Sequence, residues 1–325
     1  MKLIKRNDKI FIAGHNGMVG SGIVRALKQF GYKNILIVNR KEVDLTDINA
    51  VSNWFLENKP TVVISAAARV GGIYANNNYP YDFIMENMKI QNNLIESSWK
   101  NNVRRFLFLG SSCMYPKLAE QPIKESSLLS GYVEKTNEAY AIAKISGLKL
   151  CQALRKQHNF DAISLIPTNI YGPGDNFHPE NSHVIPALIR KFSEAKKENS
   201  ESVTCWGSGN IKREFLHVDD LGEACVFVLE EWDPDSESAP KDDKGIALDY
   251  LNVGYGSDIT IKELADIISS RCNYKGNIYW DIRKPDGSPK KQLSIQKLSE
   301  LGWHSKRKLE LGIQSSIDFF QGNIV

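Results

Sequence analysis

The sequence has no cysteine pairs, no long apolar run and little net charge, and each absence excludes a class of protein. Its five cysteines are odd in number and never form C-x-x-C, which argues against a disulfide framework or a structural zinc site and favours reduced thiols in the cytoplasm. No segment approaches the roughly 18 apolar residues of a membrane span, and the apolar run before Gly14 is too short for a signal peptide. The net charge is +3 without a dense basic run, so nothing indicates nucleic acid.

What is present is a periodic alternation of short β-branched runs and longer segments of helical period. The predicted strands cover residues 9–13, 34–39, 61–65, 105–109 and 161–167. The predicted helices cover residues 18–30, 48–58, 87–99 and 138–158. This βαβ rhythm predicts an α/β fold whose doubly wound, parallel, Rossmann-type sheet has helices on both faces.

After Pro167 the rhythm changes to a loop-rich mixture. A short helix is predicted over residues 186–197, followed by the strings "VTCWGSG" and "REFLHVDD", and a helix over 221–231 rejoins the first lobe. The smaller α/β substrate-binding lobe is therefore expected to be interleaved with the first. We predict an NADP-binding domain over 1–175, rejoined by about 217–255, and a substrate-binding lobe over 176–216 and 256–325.

Three glycines mark the first turn between a strand and a helix. Gly14, Gly17 and Gly20 follow the first predicted strand at three-residue spacing. A turn without Cβ atoms lets a pyrophosphate approach the helix N-terminus, whose free N–H groups favour an anion. Such glycines can also be a purely structural turn, but their place in an N-terminal βαβ unit favours a dinucleotide site.

The end of the second predicted strand distinguishes the two nicotinamide dinucleotides. An acidic residue there would bind the ribose hydroxyl of NAD, but the strand ends in Asn39, Arg40 and Lys41. Two cations suit a 2′-phosphate, so NADP is predicted, although a merely solvated polar loop stays open as an alternative. Asp44 and Leu45 are expected beside the adenine.

A second motif suggests proton transfer to a carbonyl oxygen. Tyr140 and Lys144 stand at i, i+4 and project from one helical face. A free phenol has a pKa of about 10, and a nearby ammonium together with a nicotinamide cation would favour its ionised form. The spacing alone is common on amphipathic helices. Because a hydroxyl-rich strand exit, "GSS" ending at Ser112, precedes it, a Ser/Tyr/Lys dehydrogenase site is predicted.

These motifs resemble the extended, sugar-nucleotide-modifying branch of the short-chain dehydrogenase/reductase superfamily. Blocks throughout almost the whole chain are similar to the GDP-L-fucose synthase family: "AGHNGMVGS", "AAARVGGI", "GSSCMYPK", "NEAYAIAK", "PTNIYGPGDNFHPENSHVIPAL", "VTCWGSGNIKREFLHVDD" and "KPDGSPKK". The resemblance implies a homodimeric, NADPH-dependent enzyme with a GDP-sugar substrate. Such an enzyme epimerises C3 and C5 of GDP-4-keto-6-deoxy-D-mannose and then reduces the C4 ketone to form GDP-L-fucose.

The resemblance also implies catalytic roles. Ser111, Tyr140 and Lys144 would act on the ketone, whereas Cys113 and His183 would be the acid and base of epimerisation. Without the resemblance, Cys113 could be a small buried hydrophobe and His183 a capping or packed histidine. No further ligands of suitable spacing accompany the histidines, so no metal site is predicted.

Binding residues follow from the same resemblance. The implied substrate contacts are Lys191, Trp206, Arg213 and Asp286, although these cations could equally be solvated and this indole packed in a core. The implied cofactor contacts, besides the glycines and the adenine-side residues, are His15, Asn16, Met18, Val19, Leu109, Gly110, Ser111, Ser112, Tyr140, Lys144, Pro167, Thr168, Asn169, Ile170 and His183.

One position departs from the family pattern, and three competing functions are less favoured. Many members are expected to carry arginine where this chain has Asn16, which weakens the predicted preference for NADP. A 4-epimerase would favour an acidic residue near Asn39, and a 4,6-dehydratase a Thr-Asp-Glu cluster where this chain has Ser-Ser-Cys. A non-catalytic nucleotide-binding module would be expected to lack Tyr140 or Lys144.

Overall fold

A parallel sheet of six strands organises the first lobe of the computed structural model, which describes residues 2–179, 181–283 and 287–322. Its strands are β1 (Ile10–Ala13), β2 (Ile35–Leu36), β3 (Val62–Ser65), β4 (Arg105–Leu109), β5 (Ala162–Pro167) and β9 (Tyr250–Val253), in the spatial order β2-β1-β3-β4-β5-β9. Every residue of β1, β3, β4 and β5 is buried, as expected for strands covered on both faces. The predicted α/β fold with a Rossmann-type sheet is confirmed.

Helices cover both faces of this sheet. They are α1 (Met18–Gln29), α2 (Ile48–Asn58), α3 (Ile73–Asn78), α4 (Pro80–Lys100), α5 (Glu138–His158) and α7 (Val218–Glu231). α1 and α7 bury one apolar cluster with the sheet, and α2, α4 and α5 bury another. α1 and α7 cross closely at Gly22 and Gly222, since a Cβ on Gly222 would lie 2.6 Å from Gly22 O.

In the residues that the structure describes, the second lobe contains two small sheets and four helices. β8 (Lys212–His217) pairs with β6 (Asn169–Tyr171), β10 (Asp258–Thr260) and β12 (Lys290–Lys291), while β7 (Ser202–Trp206) pairs with β11 (Asn277–Asp281). The helices are α6 (Val184–Lys197), α8 (Ile261–Arg271), α9 (Gln296–Glu300) and α10 (Leu309–Gly322). α6, α8 and α10 contribute to its apolar core. Among the described residues, no helix has the length and apolar character to cross a membrane.

Some predicted boundaries were wrong. The helix predicted over 87–99 begins at Pro80, because proline is well suited to the first helical turn and Phe83 adds a buried turn before Asn87. The strand predicted over 34–39 has two residues, Ile35 and Leu36. The helix predicted over 221–231 begins at Val218, where His217 Nδ1 accepts a hydrogen bond from Asp219 N at 3.2 Å. The strings after Pro167 contain β7 and β8 rather than only loops.

Candidate active site

The glycine loop follows β1. It lies at the topological switch point of the sheet, between β1 and its neighbour β3, where the order of successive strands changes direction. Gly14 has φ +89°, and a Cβ there would lie 2.7 Å from the backbone of Ala67. A Cβ on Gly20 would overlap Gly14 O. Gly17 caps α1 without a side-chain hydrogen bond, so the first N–H groups of the helix are available to an anion. The loop therefore fits a dinucleotide pyrophosphate.

Asn16 connects this loop to the chain after β2. Its Nδ2 donates to Asn39 Oδ1 at 2.9 Å. Asn16, where arginine was expected, is therefore hydrogen-bonded to Asn39. An NAD-dependent enzyme would be expected to carry an acidic residue near Asn39. Neither side chain supplies a charge, and Arg40 is the nearest cation along the chain.

Asp44 lies near two cations on the adenine side. Its carboxylate accepts hydrogen bonds from Thr46 N and Thr46 Oγ1, both at 2.9 Å. These bonds lower the pKa of Asp44, and the charges of Arg40 and Lys89 lower it further. Lys89, on α4, is a cation that the sequence analysis did not single out, because its nearness to Asp44 depends on how α4 packs.

The exit from β4 places Ser111 and Cys113 on one short 3₁₀ turn, Ser112–Met114. Ser111 caps this turn, and its Oγ accepts from Cys113 N at 3.4 Å. Cys113 is 7% exposed. Burial raises the pKa of its thiol, while Lys291, Ser111 and Lys144 act in the opposite direction.

Tyr140 and Lys144 project from α5 toward the same turn. Lys144 Nζ donates to Leu109 O at 2.9 Å and lies 5.9 Å from the centre of the Tyr140 ring. Burial lowers the pKa of Lys144 to about 8, although Cys113 counteracts this. Burial and Cys113 raise the pKa of Tyr140, which a hydrogen bond with Ser111 partly offsets. The phenol therefore holds its proton, as a proton donor must.

His183 lies in the second lobe at the start of α6, and the chain just before it contacts the segment after β3, where Gly72 N donates to Asn181 O at 3.3 Å. His183 caps α6 in an extended conformation, without a side-chain capping bond. The imidazole is exposed, yet surrounding protein lowers its pKa by desolvation. The lowered pKa favours the neutral imidazole, which can accept a proton near pH 7.

Two of the predicted substrate residues lie together. Lys191 Nζ donates to Thr204 O at 2.9 Å and lies 5.5 Å from the Trp206 ring. Desolvation lowers the pKa of Lys191. The indole is 62% exposed, so the alternative that Trp206 is packed in a core is wrong. Asp286 lies outside the described residues.

Lys291 is a site residue that the sequence analysis missed. It pairs in register with Arg213 across β12 and β8, whose partnership brings these two cations together. Burial lowers the pKa of Lys291, and the neighbouring Cys113 counteracts the shift. Strand alternation turns its neighbour Lys290 toward Asp258, at 3.0 Å. The sequence offered "KPDGSPKK" as a block, but only the strand pairing distinguishes its two last lysines.

The other predicted cofactor residues lie at one edge of the sheet. Because the carboxyl ends of parallel strands share an edge, the residues after β1, β4 and β5 meet there. Thr168 Oγ1 and Asn169 Nδ2 donate to Glu214 O at 3.3 and 2.8 Å, so both side chains connect this edge to β8. The remaining members of the set lie at the ends of these strands or on the turns that follow (His15, Leu109, Gly110, Ser112 and Pro167), at the start of α1 (Met18 and Val19) or in β6 (Ile170).

A glycine loop on a parallel sheet, next to a Ser/Tyr/Lys group, defines a dinucleotide-dependent oxidoreductase of the short-chain dehydrogenase/reductase type. The model of the NAD dependent epimerase/dehydratase family matches residues 10–239. The chain therefore belongs to this family and, within it, to the group of GDP-L-fucose synthases, as its relatives show.

Three similar proteins support this assignment. GDP-L-fucose synthase 1 of Arabidopsis thaliana is 50% identical over 98% of this chain and 95% of its own. GDP-L-fucose synthase of Escherichia coli K12 is 49% identical over 97% of each chain. The crystal structure of a GDP-L-fucose synthetase from Naegleria fowleri bound to NADP has a TM-score of 0.86, at 26% identity over 99% and 96% of the two chains.

Proposed function

We propose that the protein converts GDP-4-keto-6-deoxy-D-mannose to GDP-L-fucose, by epimerisation at C3 and C5 followed by NADPH-dependent reduction of the C4 ketone. The observation that carries this proposal is a thiol, Cys113, on the turn that Ser111 caps, where Cys113 N donates to Ser111 Oγ at 3.4 Å. A reductase alone has no use for a second proton-transfer group at that place. The relatives that are about half identical in sequence support the same activity.

NADPH supplies the hydride when it is bound, and the residues that would hold it are those at the shared strand edge. The glycine loop and the N-terminus of α1 would bind the pyrophosphate. Arg40 would bind the 2′-phosphate, with Asp44 and Leu45 beside the adenine. These assignments rest on the close packing of the loop, in which side chains larger than hydrogen cannot be placed at Gly14 and Gly20.

Ser111, Tyr140 and Lys144 act on the C4 oxygen. The Ser111 hydroxyl donates a hydrogen bond to it, and Tyr140 gives its phenolic proton to the oxygen as C4 is reduced. Lys144 favours the phenolate that remains, because an ammonium lowers the free energy of a nearby anion. The same donors stabilise the negative charge that reaches this oxygen when a proton leaves C3 or C5.

Cys113 and His183 exchange protons with those two carbons. One removes a proton from carbon, and the resulting enolate takes a proton from the other on the opposite face, so the centre inverts and the charge is restored. Burial opposes a thiolate at Cys113, whereas Lys291 and Lys144 favour it. The lowered pKa of His183 favours its neutral imidazole, which can remove a proton from carbon, whereas in the opposite role the imidazolium would be the donor.

The substrate's nucleotide would lie along the second lobe. Lys191 and Arg213 are placed to neutralise the diphosphate, Trp206 offers an exposed apolar face, and Asp286 would accept hydrogen bonds. We further propose a cytoplasmic homodimer. Buried reduced cysteines support the compartment, and the exposed Tyr81 and Met85, one turn apart on α4, support a second copy as the partner.

The proposal is tested by mixing the purified protein with GDP-4-keto-6-deoxy-D-mannose and following NADPH absorbance, then repeating the reaction in D₂O. NADPH oxidation and deuterium at C3 and C5 of the product are expected. Failure to oxidise NADPH would contradict the reductase half, and unlabelled product would contradict the epimerase half. A 4-epimerase or 4,6-dehydratase would act without net consumption of NADPH.

Cys113→Ser should abolish deuterium incorporation while NADPH binding remains, because a hydroxyl is a far weaker acid than a thiol. The matched control is Cys225→Ser, a buried thiol in the core between α1 and α7, which should incorporate deuterium at the rate of the unmodified protein. Both variants are measured by mass spectrometry of the product and by fluorescence titration with NADPH. Normal labelling in Cys113→Ser would remove the thiol from the mechanism.

A further inference from the structure

Asn87, on α4, holds the backbone of the segment that follows β3. Its Oδ1 accepts from Arg69 N at 2.9 Å, and its Nδ2 donates to Arg69 O at 3.0 Å and to Phe83 O at 2.7 Å. The side chain is 2% exposed. Both amide hydrogens and the amide oxygen are therefore used where water does not reach, and their loss would leave buried backbone groups unpaired.

The side chain of Arg69 attaches the same segment to α4 a second time. Its guanidinium binds Glu86 Oε1 at 2.6 Å and Asp82 Oδ2 at 3.2 Å, and it lies 5.5 Å from the centre of the Phe83 ring. Arg69 is thus fixed at its backbone and at its side chain by one face of one helix.

Three residues further on, the segment contacts the loop that carries His183. Gly72 N donates to Asn181 O at 3.3 Å, and a Cβ on Gly72 would lie 2.9 Å from Ser182 O. Asn76 Nδ2 donates to the carbonyl oxygens of Gly71 and Gly72, at 2.7 and 3.1 Å. The residue after Ser182 is His183, so segment 69–72 contacts the chain immediately before the first turn of α6.

The same turn of α4 also contacts Tyr140. Phe83, one helical turn before Asn87, meets the Tyr140 ring edge-on, with 6.3 Å between ring centres and 86° between planes. A Cβ on Gly71 would lie 3.2 Å from Phe83 Cζ. One face of α4 is therefore in contact with the phenol on one side and with segment 69–72 on the other.

We infer that Asn87 is a positioning residue: by fixing segment 69–72 on α4, it sets the distance of His183 from Tyr140 and the ketone held there. The inference rests on the proposed function in one respect, namely that His183 exchanges a proton with substrate carbon. Proton transfer to carbon depends steeply on the placement of the acid or base. Reduction of the ketone depends on α5 and the β4 exit, which Asn87 does not touch.

The test compares Asn87→Leu with Asn101→Leu. Asn101 ends the same helix, and its Nδ2 donates to Ser97 O at 2.8 Å, so the control loses an amide from α4 far from the site. Hydrogen–deuterium exchange of the folded proteins is measured by mass spectrometry. Peptides covering 69–76 and 181–187 should exchange about tenfold faster in Asn87→Leu, because local opening becomes easier. Equal exchange in the two variants would overturn the inference.

A second measurement follows the consequence for chemistry. Deuterium incorporation from D₂O into the keto sugar is measured without NADPH, and NADPH affinity is measured by fluorescence. We expect incorporation to fall about 10- to 100-fold in Asn87→Leu, with NADPH affinity within about twofold of the control. Unchanged incorporation despite faster exchange at 181–187 would contradict the positioning role.

Two further outcomes would be interpreted as follows. If the unmodified protein incorporates no deuterium, the proposed function fails, and the hydrogen-exchange comparison alone decides whether Asn87 fixes the loop. If Asn87→Leu does not fold, Asn87→Asp replaces it, since that variant keeps the size and removes both donors. It should show the same faster exchange, and wild-type exchange in it would overturn the inference.

Discussion

At the scale of single residues, Cys113 and Lys144 are buried and Tyr140 is half-buried, and the charge of Cys113 changes the pKa of the other two. A thiolate at Cys113 raises the pKa of Tyr140 and of Lys144. While Cys113 is ionised, the phenol therefore keeps the proton that an enolate or an alkoxide requires. In the proposed mechanism, an ionised Cys113 during epimerisation therefore keeps the Tyr140 proton available for the later reduction.

Lys144→Met should make the protein more stable and less active. Burial lowers the pKa of Lys144 to about 8, so the unfolded chain binds more protons between about pH 8 and 10 and the free energy of unfolding rises with pH there. Below pH 8 the buried ammonium costs about 3 kcal/mol, of which the bond to Leu109 O offsets about 1 kcal/mol. Urea unfolding at pH 7 should show a gain of about 1–2 kcal/mol, shrinking toward pH 10.

The control for this prediction is Lys149→Met, an exposed lysine on the same helix that bonds Gln152 Oε1. Its free energy of unfolding should change by less than about 0.5 kcal/mol, with no added pH dependence. In the same preparations, Lys144→Met should reduce the ketone about 10²- to 10⁴-fold more slowly. An Lys144→Met protein less stable than the unmodified one at pH 7 would show that burial does not disfavour this ammonium.

At the scale of helices and strands, local periodicity predicted five of the six strands in the first lobe's sheet but not β9, and long-range pairing determined the second lobe. β4 was predicted to the residue and β1, β3 and β5 to within one, because buried parallel strands are continuous apolar runs. Strands β6, β7 and β8 are not continuous buried apolar runs and pair with strands that are distant in the chain, and no strand was predicted for them. Tyr140 and Lys144 were predictable from one helical turn, whereas the closeness of Lys291 to Cys113 depends on pairing between β12 and β8.

Arg307, in the segment just before α10, forms ion pairs with two acidic residues of α7. Arg307 NH1 binds Asp220 Oδ1 at 2.6 Å and NH2 binds Glu223 Oε1 at 2.9 Å, and both carboxylates are buried. Arg307→Met would leave them without this cation, and we expect a loss of about 2–3 kcal/mol in the free energy of unfolding, since breaking a buried pair is costly but Arg307 itself is partly exposed.

Arg283→Met supplies the comparison, because Arg283 pairs with Asp281 on the surface and is 87% exposed at its side chain. Chemical denaturation of both variants at pH 7 measures the difference. The surface variant should lie within about 0.5 kcal/mol of the unmodified protein. Equal, small changes in both would mean that the α7 carboxylates find other partners when Arg307 is lost.

Across the whole molecule, the apolar core of the first lobe is built from distant parts of the chain. The cluster under α1 and α7 includes Ile4 and Ile10 from the start, Leu251 and Val253 from β9, and Leu298 and Trp303 from α9 and the chain after it, within the second lobe. The proposed active site likewise combines Tyr140 from one lobe with His183 from the other. The core of the first lobe therefore cannot form until segments from the start, the middle and the last part of the chain have all come together.

This interleaving predicts that residues 1–175 do not fold alone. Without β9 the edge of β5 is unpaired, and without α7 the close surface of α1 around Gly22 and the apolar residues beneath it are exposed to water. Expressed alone, the fragment should show no cooperative urea transition, strong binding of the dye ANS and no NADPH binding, although it contains the whole glycine loop. The full chain, measured alongside, should unfold in a sigmoidal transition. A fragment that unfolds cooperatively and binds NADPH would mean that the first 175 residues form an independent domain and that α7 and β9 merely add to it.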